Sequence, residues 1–241
     1  MSESSPLPPA PRRPDRLGRV DRKPALSVDV IVQAGIDVLD EGGADALSMR
    51  RVAERLGTGA ASLYAYVRNK DELLELMYDE LISRVPIPTP DPARWREQIR
   101  EVIGGMRRML QDHAEVAMAG AGRVPMSEKG LAGAEGVTAL LNAGGLPPRI
   151  VGMAADLIGL YITAIAFEES TFSRSGMDPE TAAEYFTRVH EFYVALPADR
   201  YPVMAMLGSA LTGPDGDERF AFGLDVILAG LVALADDPCW A

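Results

Sequence analysis

LSMRRVAERLGTGAASLYAYVRNK, residues 47–70, divides at Gly57 into two short amphipathic halves. In the first half Met49, Val52, Ala53 and Leu56 recur at i, i+3, i+4 and i+7. That spacing builds one apolar stripe on a helix and leaves Arg50, Arg51, Glu54 and Arg55 outside it. Ser48 stands where an N-cap belongs, and Gly57 stands where a left-handed residue ends a helix without steric cost. After the turn Gly57, Thr58, Gly59, a second helix is expected over about 60–67, burying Leu63 and Val67. Its outer positions are Ala60, Ala61, Ser62, Ala65 and the phenols of Tyr64 and Tyr66, a small, flat and nearly uncharged face.

Such a face suits the floor of the major groove, where side chains approach base edges closely and methyl groups pack on thymine. The cations sit at its margins: Arg50 and Arg51 open the first helix, and Arg68 and Lys70 follow the second, at the height of a phosphate backbone. An ordinary helical corner around a glycine satisfies the same local pattern, so the neighbouring segments carry weight. Upstream, Ile31, Ala34, Gly35, Val38 and Leu39 mark a helix capped by Ser27 and ended by Gly42 and Gly43. Downstream, a helix opens at Lys70, Asp71 and Glu72, carries Leu73, Leu76, Met77 and Leu81, and stops before Pro86 and Pro88.

Four helices of these lengths resemble the N-terminal DNA-binding domain of the tetracycline-repressor family. The likeness lies in Ser48 and Arg50, in the Val-Ala-x-x-Leu-Gly run from Val52 to Gly57, in Leu63-Tyr64-x-Tyr66-Val67, and in Arg68-Asn69-Lys70 before a leucine-rich helix. It covers about residues 25–84. The stretch from Arg219 to Leu231 is similar to the final dimerisation helix of one branch of that family. The resemblance implies that Arg50 reads guanine O6 and N7 bidentately. It gives groove contacts to Ser62 and Tyr66, and phosphate contacts to Ser48, Tyr64 and Lys70. Thr58, Ala60, Ala61 and Arg68 complete the expected DNA-facing set. Gly59, Ala60 and Ala65 depart from the residues usual in the family, so no operator sequence is transferred. Arg123-Val124-Pro125 resembles a turn beside the drug site, but no histidine stands among Ala117, Met118, Ala119, Gly120 and Ala121 to hold a metal.

The 241 residues carry a net charge of −11, which looks wrong for a DNA binder until it is divided along the chain. Residues 1–23 and 46–70 together hold eleven Lys or Arg against four acids, a local +7, whereas residues 85–241 sum to −9. An acidic body with a basic end offers one face to a polyanion. The first 24 residues, with prolines at 6, 8, 9, 11, 14 and 24, are expected to be a disordered basic arm. Either it reaches into the minor groove or it is a solvated leader. The start of the chain has no apolar signal segment, and Cys239 is the single cysteine; a cytoplasmic protein without disulfides or a cysteine zinc site is expected.

Beyond Pro92 the periodicity predicts helices over about 93–112, 114–121, 127–143, 147–172, 179–196, 199–211 and 216–235, with no period-two strand pattern. The expected fold is all-α: a three-helix helix-turn-helix domain with its connecting helix at 25–84, and a larger ligand-binding and dimerisation domain at 85–241. Residues 150–167 and 220–235 approach membrane-spanning length, but each contains an acid, the second is short, and neither is flanked by a basic cluster or an aromatic belt. They fit better as core and interface helices. Ile158, Phe220, Leu224, Ile227, Leu228 and Leu231 are the expected dimer contacts, with Gly152, Gly159, Gly223 and Gly230 allowing close approach. A homodimer matches a palindromic double-stranded operator, because two-fold symmetry doubles the few base pairs one helix reads.

For a small apolar effector, Met106, Met109, Met118, Met126 and Met153 with Trp95, Tyr161 and Phe167 are the candidate pocket lining; ordinary core packing explains the same residues. A helical enzyme using Glu168, Glu169, Asp156 and His190, or a protein-interaction adaptor without specific DNA binding, are the alternatives. No phosphate loop, nucleophile elbow or metal-ligand spacing occurs, so neither catalysis nor a cofactor is expected.

Overall fold

Two serines start the first two helices. Ser27 Oγ accepts the Val30 N–H at 3.3 Å and Ser48 Oγ accepts the Arg51 N–H at 3.2 Å, each satisfying a donor that the helix itself leaves orphaned. The computed structural model describes residues 25–111, 113–120, 124–174, 178–213 and 215–240; the expected basic arm at 1–24 lies outside the described residues.

The helices are α1 (Val28–Gly42), α2 (Met49–Leu56), α3 (Ala60–Leu63), α4 (Lys70–Ser83), α5 (Trp95–Gln111) and α6 (Ala114–Ala119). They continue as α7 (Glu128–Ala143), α8 (Pro148–Arg174), α9 (Pro179–Val194), α10 (Pro202–Thr212) and α11 (Gly216–Ala235), with a 3-10 turn at Ala44–Ala46 and no strand among the described residues. The all-α expectation holds. The second helix of the turn motif is shorter than its spacing suggested. Regular α-helix stops at Leu63, and the chain tightens through Tyr64–Tyr66, where the Tyr66 and Val67 N–H groups both donate to Leu63 O at 2.9 Å. Leu63 and Val67 are nonetheless both fully buried, as the four-residue spacing required.

Two cores form. The smaller gathers Ile31, Ile36, Val52, Leu63, Val67, Leu73 and Met77 from α1 to α4, and it also takes Val116 of α6. The larger joins α5, α7, α8 and α11 through Ile99, Ile103, Leu140, Leu141, Ile158, Leu224 and Leu228. Tyr78 of α4 and Met109 of α5 pack against both. Polar ties reinforce the seam. Lys129 Nζ lies 2.7 Å from both Asp29 of α1 and Glu80 of α4. His113 bridges Asp40 of α1 (Nε2, 2.8 Å) and the Met109 carbonyl (Nδ1, 2.9 Å).

α8 is long and apolar enough to cross a bilayer by length and composition. Its buried residues, Ile150, Val151, Ala154, Ile158, Ile162 and Ala166, recur at helical spacing in the larger core. In this register the expected dimer contacts face into the protomer. Ile158, Phe220, Leu224, Leu228 and Leu231 are at most 7% exposed, packed in the protomer's own core, and Ile227 is half-buried against it. The outward face of α11 instead carries Phe222 and Val226, and that of α8 carries Met153, Leu157 and Leu160. A helix that is apolar all round gives periodicity no means of choosing its inner side.

Candidate DNA-reading surface and ligand cavity

The turn between α2 and α3 is fixed by backbone bonding. Gly57 adopts φ 63°, ψ 39°, and its N–H donates to Glu54 O while Thr58 N–H donates to Ala53 O, both at 3.0 Å. Together these close the helix in a Schellman arrangement that only a glycine enters without strain. With Leu63 and Val67 buried, Ala61, Ser62, Tyr64, Ala65 and Tyr66 face solvent, while Thr58 and Ala60 are half-buried. The residues expected to read DNA therefore lie at least partly open to solvent. Ser48 is half-buried, and because its oxygen accepts the cap bond, its O–H remains free to donate outward.

Three of the four marginal cations, Arg50, Arg68 and Lys70, are held by acids. Arg50 Nε donates to Glu54 Oε1 at 2.8 Å, Arg68 Nε lies 3.1 Å from Glu72 Oε1, and Lys70 Nζ lies 3.7 Å from Glu115 Oε2 of α6. Hydrogen bonding to Glu54 raises the Arg50 pKa and hydrogen bonding to Glu72 raises that of Arg68, while Arg68 draws the Glu72 carboxyl below its ordinary value. Arg55 turns inward to Glu41 at 2.6 Å and Asp37 at 3.2 Å on α1, tying α2 to the domain rather than to a ligand.

The second candidate site is a cavity of about 400 Å³, within the range of small-molecule sites. α4 supplies Tyr78, Asp79 and Ile82 to its wall, and α5 supplies Ile103 and Met106. Gly120, Val124 and Pro125 border it, followed by Gly130, Gly133, Ala134, Val137 and Thr138 of α7. α8 contributes Gly152, Ala155, Asp156, Ile158, Gly159, Leu160 and Ile162. Asp79 is buried, and the Ser127 hydroxyl, which also caps α7, donates to its Oδ2 at 2.6 Å.

Of the expected lining, Met106 alone is among these residues. Trp95 is buried in the larger core, so close to Gly144 that a Cβ there would meet its ring at 2.6 Å. Met109 lies between the two cores, and Tyr161 stacks on Phe220 with its hydroxyl donating to Phe220 O at 3.0 Å. Met118, Met126, Met153 and Phe167 are exposed on the protomer, Met126 at 84%. Most of the expected large side chains lie elsewhere, and the wall mixes large residues such as Tyr78, Ile82 and Met106 with glycines and alanines. Gly152 and Gly159, expected at a dimer contact, border it, and a Cβ on either would meet nothing within 4 Å. The clustering of Gly and Ala at 130–136, with a glycine seven residues apart on α8, was the available signal.

The acids and histidine of the enzyme alternative are not brought together. Glu168 pairs with Arg219 at 3.0 Å, Arg107 Nε donates to Glu169 Oε1 at 3.0 Å, and His190 Nδ1 lies 2.6 Å from Thr212 Oγ1. Asp156 alone of that set borders the cavity.

The family described as "Bacterial regulatory proteins, tetR family" matches residues 31–77, and "Tetracyclin repressor-like, C-terminal domain" matches 87–235. The HTH-type transcriptional repressor DrrR1 of Streptomyces coeruleorubidus is 35% identical over 233 residues, covering 92% of this chain and 82% of that protein. The class G tetracycline repressor protein of Vibrio anguillarum is 26% identical over 220 residues, 87% of this chain and 95% of its own. Among solved structures, ActR of Streptomyces coelicolor in complex with actinorhodin superimposes with a TM-score of 0.79 at 41% identity, over 89% of this chain and 99% of that one.

Proposed function

Because the chain belongs to the tetR family of bacterial regulatory proteins, we propose that this DNA-binding regulator represses from a palindromic operator as a homodimer and releases it when a small, mostly apolar ligand fills the cavity. One observation carries the proposal: the cavity and the DNA-facing end share a helix. α4 begins at Lys70, beside the reading surface, and about two turns later presents Tyr78, Asp79 and Ile82 to the cavity. A ligand that prefers a different position of Tyr78 thereby prefers a different position of Lys70 and of the short Tyr64–Asn69 segment that joins α4 to α3. Differential affinity for the two arrangements is all that release requires.

In this reading residues 25–84 are the DNA-binding unit and 85–241 the ligand and dimerisation unit. Arg50 reads a base; Ser48, Tyr64, Arg68 and Lys70 hold phosphates; Thr58, Ala60, Ala61, Ser62 and Tyr66 lie along the groove. The dimer forms through the outward faces of α8 and α11, where Leu157, Phe222 and Val226 are exposed. The cavity binds rather than catalyses, and the protein works in the cytoplasm, where the chromosome is.

The test is reciprocal titration. Actinorhodin and (S)-DNPA, present in the ActR structures, are the first probes, against duplex selected by the full-length protein from a random pool. Coupling of about 1–3 kcal/mol is expected in both directions. A ligand that binds with the same affinity in the presence and absence of duplex removes ligand-controlled release and leaves the second unit as a dimerisation domain.

A further inference from the structure

We propose that Glu54 is a positioning residue for base reading, holding the Arg50 guanidinium by its Nε edge and leaving the two terminal nitrogens for a base. The inference rests on the reading of Arg50 as the guanine contact. With Nε donating to Glu54 Oε1 at 2.8 Å, Nη1 and Nη2 have no partner among the described residues. Those two donors are the edge that meets guanine O6 and N7 together.

Stability gives a poor account of this pair. The Arg50 and Glu54 side chains are 85% and 56% exposed, and exposed ion pairs contribute little. Their order is also unfavourable. Arg50 lies in the first turn of α2 and Glu54 in its second half, so each charge faces the end of the helix dipole that repels it, and Arg before Glu is the weaker i, i+4 arrangement. A carboxylate at this margin also opposes phosphate binding, and Arg55, the third arginine of α2, is already served by Asp37 and Glu41. What Glu54 does supply is restraint. A long arginine held at one edge has fewer rotamers to lose on docking, and its plane is chosen before the base arrives.

The experiment uses the full-length protein and the duplex it selects from a random pool, with each guanine of the half-site changed in turn to adenine. The readout is the ratio of affinities for the selected and altered duplexes. Arg50→Ala is expected to abolish the ratio at one guanine, a loss of about 5- to 150-fold. Glu54→Ala should lower that same ratio about 3- to 10-fold. Glu54→Gln, whose amide oxygen still accepts from Nε, should keep it within about 2-fold. Both Glu54 variants should bind random duplex more tightly, each having lost one negative charge. If Arg50→Ala abolishes the ratio while Glu54→Ala leaves it intact, or if Ala and Gln lower it equally, the positioning role is wrong and the Arg50 reading stands. If Arg50→Ala keeps its discrimination at every guanine, the Arg50 reading fails and the role of Glu54 falls with it. Alanine is the better helix former, so failure to fold does not confuse the result.

Discussion

Gly120 closes α6 with φ −78°, a backbone that any residue adopts, so a substitution there is limited by space alone. A Cβ added at Gly120 would stand 2.3 Å from Cε2 and 2.6 Å from Cζ of Tyr78, where carbon atoms ordinarily rest about 3.5–4.0 Å apart. Gly120→Ala therefore displaces the ring, or the end of α6, by more than about 1 Å. The ring borders the cavity, so the cavity is where it has room to go. Removing glycine freedom from the unfolded chain stabilises by about 0.4–1 kcal/mol, while overpacking costs about 1–3 kcal/mol; the net expectation is a loss of about 1–2 kcal/mol. In a Tyr78→Ala background the clash is absent, and the same substitution should become neutral or slightly stabilising. Urea denaturation followed by helical circular dichroism measures all four proteins of the cycle. Because the displaced ring belongs to α4, operator affinity should also fall without any ligand. The reasoning is refuted if Gly120→Ala costs the same in both backgrounds, or if it leaves stability and operator affinity as they were.

Lys70→Ala should weaken selected and random duplexes alike and reduce the salt slope of log K by about 1, as one lost phosphate contact would; a loss confined to the selected site would refute the assignment. Phe222→Glu on the outward face of α11 should yield a folded monomer by light scattering and circular dichroism. Leu228→Glu, from the buried face, should cost several kcal/mol, about 3 or more, and unfold the protein; the opposite pairing of outcomes would reverse the assignment of the two faces. Lys129 draws the Glu80 carboxyl below its ordinary value through their hydrogen bond. A depressed carboxyl contributes stability that is whole above the unfolded pKa, near about 4.3, and is lost as pH falls through the folded value. The gap between wild type and Lys129→Ala, about 1 kcal/mol or less because Lys129 is partly exposed, should therefore be present at neutral pH and close in acid; a gap that widens on acidification would contradict the sign.

The DNA-facing half was legible because local chemistry determines it. Ser48 and Gly57 terminate α2 by bonds within a few residues of chain, and Leu63 and Val67 have no second way to be buried. Arg50 and Lys70 could be placed on that frame, though their acid partners could not. Glu54 lies one turn away and was visible as a neighbour, but Glu115 is 45 positions downstream of Lys70 and meets it only through tertiary packing. The larger half was legible as helices and not as faces. In α8 and α11 apolar residues occupy every side, so Leu228 and Val226 look alike in sequence while one is 1% and the other 55% exposed. The cavity escaped for a related reason. Methionine and aromatic side chains are the obvious lining for an apolar site, whereas the room here also depends on small residues in the wall: Gly130, Gly133, Ala134, Gly152 and Gly159 stand among Tyr78, Ile82 and Met106.

The double duty of α4 bears on how such a protein diverges or is re-engineered as a sensor. On the proposed reading, Tyr78 and Ile82 belong to the same helix as Lys70, so replacing either to admit a new compound would also disturb the resting output, and compensating changes would have to follow at the DNA. Ala134 and Thr138 of α7 and Ala155 of α8 border the same space from helices that carry no DNA-facing residue. On the same reading, recognition retuned at those positions should keep the unliganded switch near its original setting. Libraries aimed at new inducers should therefore begin on α7 and α8 and leave α4 for adjusting how strongly the protein is switched off at rest.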